Sequence, residues 1–165
     1  EILAALTRVA DSQRFILGAE VDAFERDMCR RLEVDHAVAV SSGTDALLVA
    51  MMAQGIGPGA EVITPTYSFF ATAGCVTRLG ARPVFVDVDP VTFNIDIDAV
   101  RAAISPRTRA IVPVHLYGLA ADMEPLMALA RQHGARCRHR RGSPLHCRAM
   151  IGLRPAMFHP RVPGG

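Results

Sequence analysis

The sequence predicts an α/β protein built on a largely parallel sheet. Short apolar runs at 36–40, 61–64, 82–88 and 110–114 have strand length, and Gly, Pro or polar turn residues bound them. Segments with helical spacing lie between these runs. Strands that alternate with helices are the pattern of βαβ units, and right-handed crossovers would place the helices on both faces of the sheet.

Taken in order, Ile2, Leu3, Leu6 and Val9 recur at helical spacing and give a first helix. A second follows Gly18, with Val21, Phe24, Met28 and Leu32 on one face and Glu25, Arg26 and Arg30 on the other. The run His-Ala-Val-Ala-Val at 36–40 reads as a buried strand. It feeds Ser41-Ser42-Gly43-Thr44 and an apolar helix over 45–54, which Gly55, Gly57, Pro58 and Gly59 end. Residues 61–64 form the next strand, stopped by Pro65. Ser68 caps a helix that runs to Arg78 and closes at Gly80. A strand at 82–88, a short helix at 98–104 and a strand at 110–114 follow. Asp122 caps a last helix through Arg131, with Gly134 as its stop. Beyond Gly134 neither period appears, and Pro144, Pro155, Pro160 and Pro163 interrupt any start. The expected organisation is therefore 1–135 as part of one α/β domain and 136–165 as an irregular, Arg/Pro-rich tail.

Composition supports a soluble domain. Of 165 residues, 50% are hydrophobic and 21% charged, enough for a core and ordinary for a globular chain. The longest apolar stretch, 37–53, is broken by Ser41, Ser42, Gly43, Thr44 and Asp45, so no transmembrane helix is expected. The chain starts at Glu1 with no secretory leader in view, and a cytoplasmic location is the expectation. Charge is uneven. All acidic residues lie at or before Glu124, leaving that part at −6, whereas the last 41 residues carry eight arginines and no acid. Every basic residue is arginine; lysine is absent. Cys29, Cys75, Cys137 and Cys147 form no CxxC pair, and Cys29 and Cys75 fall within apolar helical patterns as small buried residues.

Three stretches can carry chemistry. Val40-Ser41-Ser42-Gly43-Thr44-Asp45 is a strand-to-helix junction at the carboxyl side of a strand, where open α/β sheets place ligands. Unpaired N–H groups at the helix start, the hydroxyls of Ser42 and Thr44, and the open backbone at Gly43 suit a phosphate. The same residues also make an ordinary helix cap. Thr64-Pro65-Thr66-Tyr67-Ser68-Phe69-Phe70 is a second junction, with aromatic rings at its mouth. A flat ring there suits stacking on a planar cofactor, whereas Phe70 reads as core. In Pro113-Val114-His115-Leu116-Tyr117-Gly118, His115 either bonds a ligand or is a satisfied histidine under a loop.

Together the motifs are more specific. FILGAEVDAFE at 15–25, VSSGTDAL at 40–47, EVITPTYSFFATA at 61–73, PVFVDVDPVTFNID at 83–96 and IVPVHLYGLAADM at 111–123 closely resemble the DegT/DnrJ/StrS-type sugar aminotransferases, over roughly 1–135. The resemblance implies the large domain of a fold-type-I, pyridoxal-phosphate-dependent transferase: three layers around a mixed, mostly parallel sheet, here incomplete. It implies a cytosolic homodimer that moves an amino group from an amino acid onto a nucleotide-linked keto sugar, in amino-sugar biosynthesis for polysaccharides or antibiotic glycosides. It places the cofactor phosphate at Ser42, Gly43 and Thr44, and the pyridine ring against Phe69. His115, Tyr117 and Gly118 match a family motif of unassigned role, and Phe15 and Gly18 match the stretch near the sugar entrance.

The pattern stops after Gly134. The resemblance leads to the expectation of a strand ending in an acidic residue that pairs with the pyridine nitrogen, then a Ser-Phe-x-Pro-x-Lys stretch whose lysine binds the cofactor. The chain has no acid after Glu124 and no lysine, so covalent attachment is excluded within it and an inactive chain is expected. Arg138-His139-Arg140-Arg141-Gly142-Ser143 can be encoded so that reading one base later gives Val-Ile-Asp-Ala-Ala, which suggests a displaced frame. Phe158-His159-Pro160-Arg161 resembles the Phe-x-Pro stretch, with Val162 at the lysine position. Alternative functions are a non-catalytic remnant that binds phosphate or a nucleotide sugar or pairs with an intact paralogue, and a sugar dehydratase of the same family with histidine for lysine; His159 lies three residues before that position. Cys137, His139, His146 and Cys147 do not match structural zinc spacings, and the arginine tract has no nucleic-acid module around it. No metal, nucleic acid or membrane partner is expected.

Overall fold

The computed structural model describes residues 1–133 and the backbone of a two-residue strand, Ile151–Gly152. The described residues fall into two compact units, 1–41 and the residues from 42 onward. The tail expected to be irregular lies outside the described residues except for that two-residue strand.

The first unit is a helix pair, α1 (Ile2–Ser12) and α2 (Ala19–Leu32). Gln13 and Glu33 stop the helices in the left-handed region, with φ of 52° at each. Gly18 is the N-cap of α2, as its position before the helical pattern predicts, and Arg8 reaches across to Glu20 with Nη2 to Oε1 at 2.8 Å. No residue of either helix is buried. The strand expected at 36–40 does not form. A strand exists only as a member of a ladder, and no described segment pairs with 36–40. Val38 is 79% exposed, and Ala39 N–H is instead satisfied by Glu25 Oε1 at 2.7 Å.

The second unit runs α3 (Gly43–Ala53), β1 (Glu61–Pro65), α4 (Ala71–Arg78), β2 (Arg82–Val86), α5 (Ile97–Ala103), β3 (Thr108–Ile111), a 3-10 turn (Leu116–Gly118) and α6 (Met123–Gln132), with β4 (Ile151–Gly152). The sheet order is β2-β1-β3-β4. β1 is parallel to both neighbours, and β4 is antiparallel to β3. All five β1 residues are buried, as a central parallel strand covered on both faces requires. β2 lies at the edge, where Pro83, which has no N–H to donate, is tolerated.

Period-two alternation sorts the side chains into two cores. Val62, Ala110 and Val112 face Leu47 and Met51 of α3 and Cys75 and Val76 of α4. Ile63, Val86 and Ile111 face Val100 of α5 and Leu126, Leu129 and Ala130 of α6. Helices therefore cover both faces, which gives the three layers expected. Cys75 is buried, whereas Cys29, expected to be buried, is only partly so. At Gly80, φ is +71° and a Cβ would meet Pro58 Cγ at 3.1 Å, so this turn closes α4 only as glycine.

Some boundaries move. α3 starts at Gly43, two residues before the expected Asp45, because the Ser42 cap lies ahead of it. α4 starts at Ala71. Ser68 does not cap it but bonds Thr72, hydroxyl to hydroxyl at 3.0 Å. β3 ends at Ile111, although Val112 still donates to Ile63 O at 2.8 Å. β2 ends at Val86, with Val88 in an isolated bridge to Ile95. Among the described residues no helix is long and apolar enough to cross a membrane.

At the amino end of β1, Glu61 is 4% exposed. Its carboxylate accepts from Ser105 Oγ at 2.5 Å and Arg107 Nε at 2.9 Å, and Arg82 Nη1 lies at 3.6 Å. The Ser105 hydrogen bond, and then Arg107 and Arg82, hold this carboxyl below its ordinary value against the opposing effect of desolvation. A depressed folded-state pKa gives stability that is present above the unfolded value and is lost as pH falls through the folded one. Glu61→Gln is therefore expected to lower stability near neutrality and to flatten its fall below about pH 4.5. Urea midpoints measured across acid pH check this; parallel curves for the two proteins would contradict it.

Candidate functional site

The carboxyl ends of β1, β2 and β3 open into three loops, 66–70, 87–96 and 112–122. The start of α3 is tied to the same region, since Cys75 Sγ, one turn into α4, lies 3.5 Å from Thr44 O.

At that start, Ser42 is the N-cap. Its Oγ accepts from Asp45 N–H at 3.1 Å and donates to Asp45 Oδ2 at 2.9 Å. The hydroxyl of Ser42 is thus occupied by capping. The N–H groups of Gly43 and Thr44 are the first of the helix and have no acceptor among the described residues, nor has the Thr44 hydroxyl a partner. No side or main chain lies within 4 Å of where a Gly43 Cβ would sit. These donors at the positive end of a helix dipole suit a phosphate. Asp45 partly compensates the same dipole.

Phe69 is 66% exposed at the end of the β1 loop. Phe70, expected in the core, is 82% exposed. It precedes the helix rather than lying within it, and its ring turns back over Gly74, where a Cβ would meet Cε1 at 3.0 Å. His115 is half-buried, and its Nδ1 accepts from Ala121 N–H at 2.9 Å. That contact uses the ring to hold its loop and places the neutral ring's proton on Nε2. Tyr117 is 82% exposed, with its hydroxyl 3.0 Å from that of Tyr67. The hydrogen bond to Tyr67, and then the nearness of that phenol, push Tyr117 above the ordinary tyrosine range. Phe15 is 72% exposed in the first unit, and Gly18 caps α2 there. The second unit thus holds Ser42, Gly43, Thr44, Phe69, His115 and Tyr117.

Sequence reasoning missed Tyr67, Phe93 and Asn94. The Tyr67 and Phe93 rings lie 6.0 Å apart at 50°, which joins them to Tyr117 in one cluster. Phe93 and Tyr117 both have left-handed backbones, with φ of 57° and 52°. This is uncommon for aromatic residues and costs on the order of 1–3 kcal/mol each. Asp89 builds the loop around Phe93: its Oδ1 accepts from Thr92 N–H at 2.7 Å, Thr92 Oγ1 at 2.9 Å and Val91 N–H at 3.1 Å. The Thr92 N–H and then its hydroxyl hold the Asp89 carboxyl below its usual value. Asn94 is buried and donates Nδ2 to Ala120 O at 3.2 Å, tying the loop after β2 to the loop after β3, while its Oδ1 has no partner among the described residues. The signal available in the sequence was that its only two tyrosines both follow strands. Among the described residues no group of acidic, His or Cys side chains is placed to hold a metal. Cys137, His139, His146 and Cys147 lie outside them.

The Ser42 cap gives a direct test. Ser42→Ala should cost about 0.5–2 kcal/mol of stability, read as a lower urea midpoint with an unchanged slope; an unaltered midpoint would show that the cap does not hold α3.

The model of the DegT/DnrJ/EryC1/StrS aminotransferase family matches residues 1–137. A pleiotropic regulatory protein of Geobacillus stearothermophilus is 52% identical over 134 residues, 81% of this chain and 36% of that protein. A UDP-N-acetyl-3-dehydro-alpha-D-glucosamine 3-aminotransferase of Acidithiobacillus ferrooxidans is 52% identical over 136 residues, 82% and 37% of the two chains. The crystal structure of S. venezuelae DesV in complex with a ketimine intermediate superposes with a TM-score of 0.76 at 48% identity, covering 79% of this chain and 35% of that one. The chain thus spans about a third of the length of the relatives it matches.

Proposed function

The chain belongs to the DegT/DnrJ/EryC1/StrS aminotransferase family, and from that premise we propose that it carries the cofactor-phosphate half-site of a nucleotide-sugar aminotransferase. The observation that carries the reading is the pair of unengaged N–H groups at Gly43 and Thr44, at a helix start that Cys75 ties to α4, the helix following the loop that presents Phe69. In this reading Gly43 and Thr44 bind the phosphate of pyridoxal phosphate, Ser42 fixes the helix start that aims them, and Phe69 offers a ring face to the pyridine. Relatives named as an aminotransferase of a UDP-linked sugar, a transaminase of a dTDP-linked sugar and a GDP-perosamine synthase support a nucleotide-linked keto sugar as the substrate of the whole protein, with an amino acid as donor. A cytoplasmic homodimer is the corresponding assembly.

The residues present fit only part of that cofactor. The donor set at α3 suits the phosphate, but these 165 residues contain no lysine and no acid beyond Glu124. Bound, the cofactor supplies an electron-withdrawing ring; this chain offers neither the amine to attach it nor the carboxylate to protonate its nitrogen, and no step through it is derived. Within these 165 residues the proposed contacts to the cofactor are therefore non-covalent. The chain's kinship with a relative named for regulation rather than catalysis favours a non-catalytic role as the second reading.

A displaced frame after Gly134 accounts for the missing acid but not, by itself, for the missing lysine. Methionine has the single codon ATG and isoleucine codons begin with AT. The frame that turns Arg138–Ser143 into Val-Ile-Asp-Ala-Ala therefore meets TGA at Met150-Ile151. Recovery of the lysine stretch needs a second displacement between these points, and resequencing that interval decides it.

Titration with pyridoxal phosphate tests the reading. Saturable binding that inorganic phosphate displaces is expected, without the absorbance near the visible edge given by a lysine-linked cofactor. Gly43→Pro should abolish the binding by removing a donor. Binding unaffected by phosphate, or a band resistant to dialysis, would overturn the assignment.

A further inference from the structure

Three phenylalanines and both tyrosines of the chain lie in the three strand-end loops or at the first turn beyond them: Tyr67, Phe69, Phe70, Phe93 and Tyr117. Tyr67, Phe93 and Tyr117 contribute little to either core, being 48%, 46% and 82% exposed. Two of them are nonetheless held in left-handed backbone by dedicated contacts. The 89–94 loop closes on Phe93 through Phe93 N–H to Asp89 O and Asp89 N–H to Asn94 O, both at 2.8 Å. Asn94 Nδ2 to Ala120 O and Ala121 N–H to His115 Nδ1 brace the loop that carries Tyr117. A strained, braced and exposed aromatic residue is a pre-organised one, since nothing in the packing requires it.

The chemistry of the cluster is specific. When two phenols share one hydrogen bond, one donates to the other and the second retains its own proton. Chained hydrogen bonds polarise each other, so that remaining proton is a strengthened donor. Beside it the part-exposed Phe93 and tyrosine rings offer apolar faces. Exposed ring faces next to a phenol donor match a hexose, which has C–H faces and hydroxyl edges.

We propose that Tyr67, Phe93 and Tyr117 form the surface that receives the hexosyl group of a nucleotide-linked sugar, with the Tyr67–Tyr117 pair donating to a sugar oxygen. This rests on the substrate class proposed above and adds the residues that select the sugar rather than the nucleotide.

The two tyrosines are the chain's only ones, and tryptophan is absent. A full-length chain labelled with 3-fluorotyrosine therefore shows two fluorine resonances, both from this pair. Titration with UDP-N-acetylglucosamine or dTDP-glucose is expected to shift both resonances saturably, and UDP or dTDP alone is expected to leave them in place. Calorimetry should show Tyr117→Phe and Tyr67→Phe each weakening the sugar nucleotide about five- to tenfold, the loss of about one hydrogen bond. Equal shifts with the free diphosphates, no shift with either sugar nucleotide, or unchanged affinity in both variants would overturn the proposal. Pyridoxal phosphate titrated against the same proteins separates the two readings: loss of cofactor binding with the sugar response intact removes the cofactor site alone.

Discussion

Burial of Glu61–Pro65 from end to end is the constraint on which the second unit depends. A strand covered on both faces must exhaust its backbone hydrogen bonds in ladders, and parallel β2 and β3 supply them. Its alternating side chains then set which helices lie where, with Val62 toward α3 and α4 and Ile63 toward α5 and α6. Both ends of the strand are consequential. The amino end buries a carboxylate that needs Ser105 and Arg107 to be tolerated, because an ionised group out of water is costly unless it is paired and hydrogen-bonded. The carboxyl end has no such closure, and the loops that leave it carry the candidate ligand contacts.

Three strand-to-helix passages meet at that end, so residues far apart in sequence become neighbours without long-range design. Tyr67 and Tyr117 are fifty positions apart yet share a hydrogen bond, because β1 and β3 are adjacent. Thr44 reaches Cys75 by the packing of α3 on α4. The candidate phosphate site is local, being the first turn of one helix, whereas the aromatic surface is an assembly of three loops and exists only when the sheet is in register.

This difference explains what was legible in the sequence. Ser42, Gly43 and Thr44 were readable because a cap and a glycine before an apolar helix are adjacent signals. The helices α1, α2, α3 and α6 followed from period and caps. Phe70 was misjudged because hydrophobicity says nothing about which side of a helix start a ring falls. The strand expected at 36–40 was misjudged for a different reason. An apolar run announces that it is able to pair, but pairing is a property of its neighbour, and none is present among the described residues. Phe93 and Asn94 carried no local mark, since their significance lies in a left-handed φ and a bond to Ala120 that only the folded loop creates.

Binding and chemistry in this family are also separable along the chain. The groups proposed to hold a phosphate are backbone donors at a helix start and persist as long as α3 is capped and packed. The groups expected to do chemistry, an amine and a carboxylate, are side chains that the resemblance assigns to later segments, and the chain contains neither beyond Glu124. In the proposed reading the cup itself contributes hydrogen bonds and a helix dipole, and no covalent bond. The strain retained at Phe93 and Tyr117 then has an energetic meaning. It is a cost that folding bears whether or not chemistry follows, and a surface that continues to bear it remains shaped for a ligand.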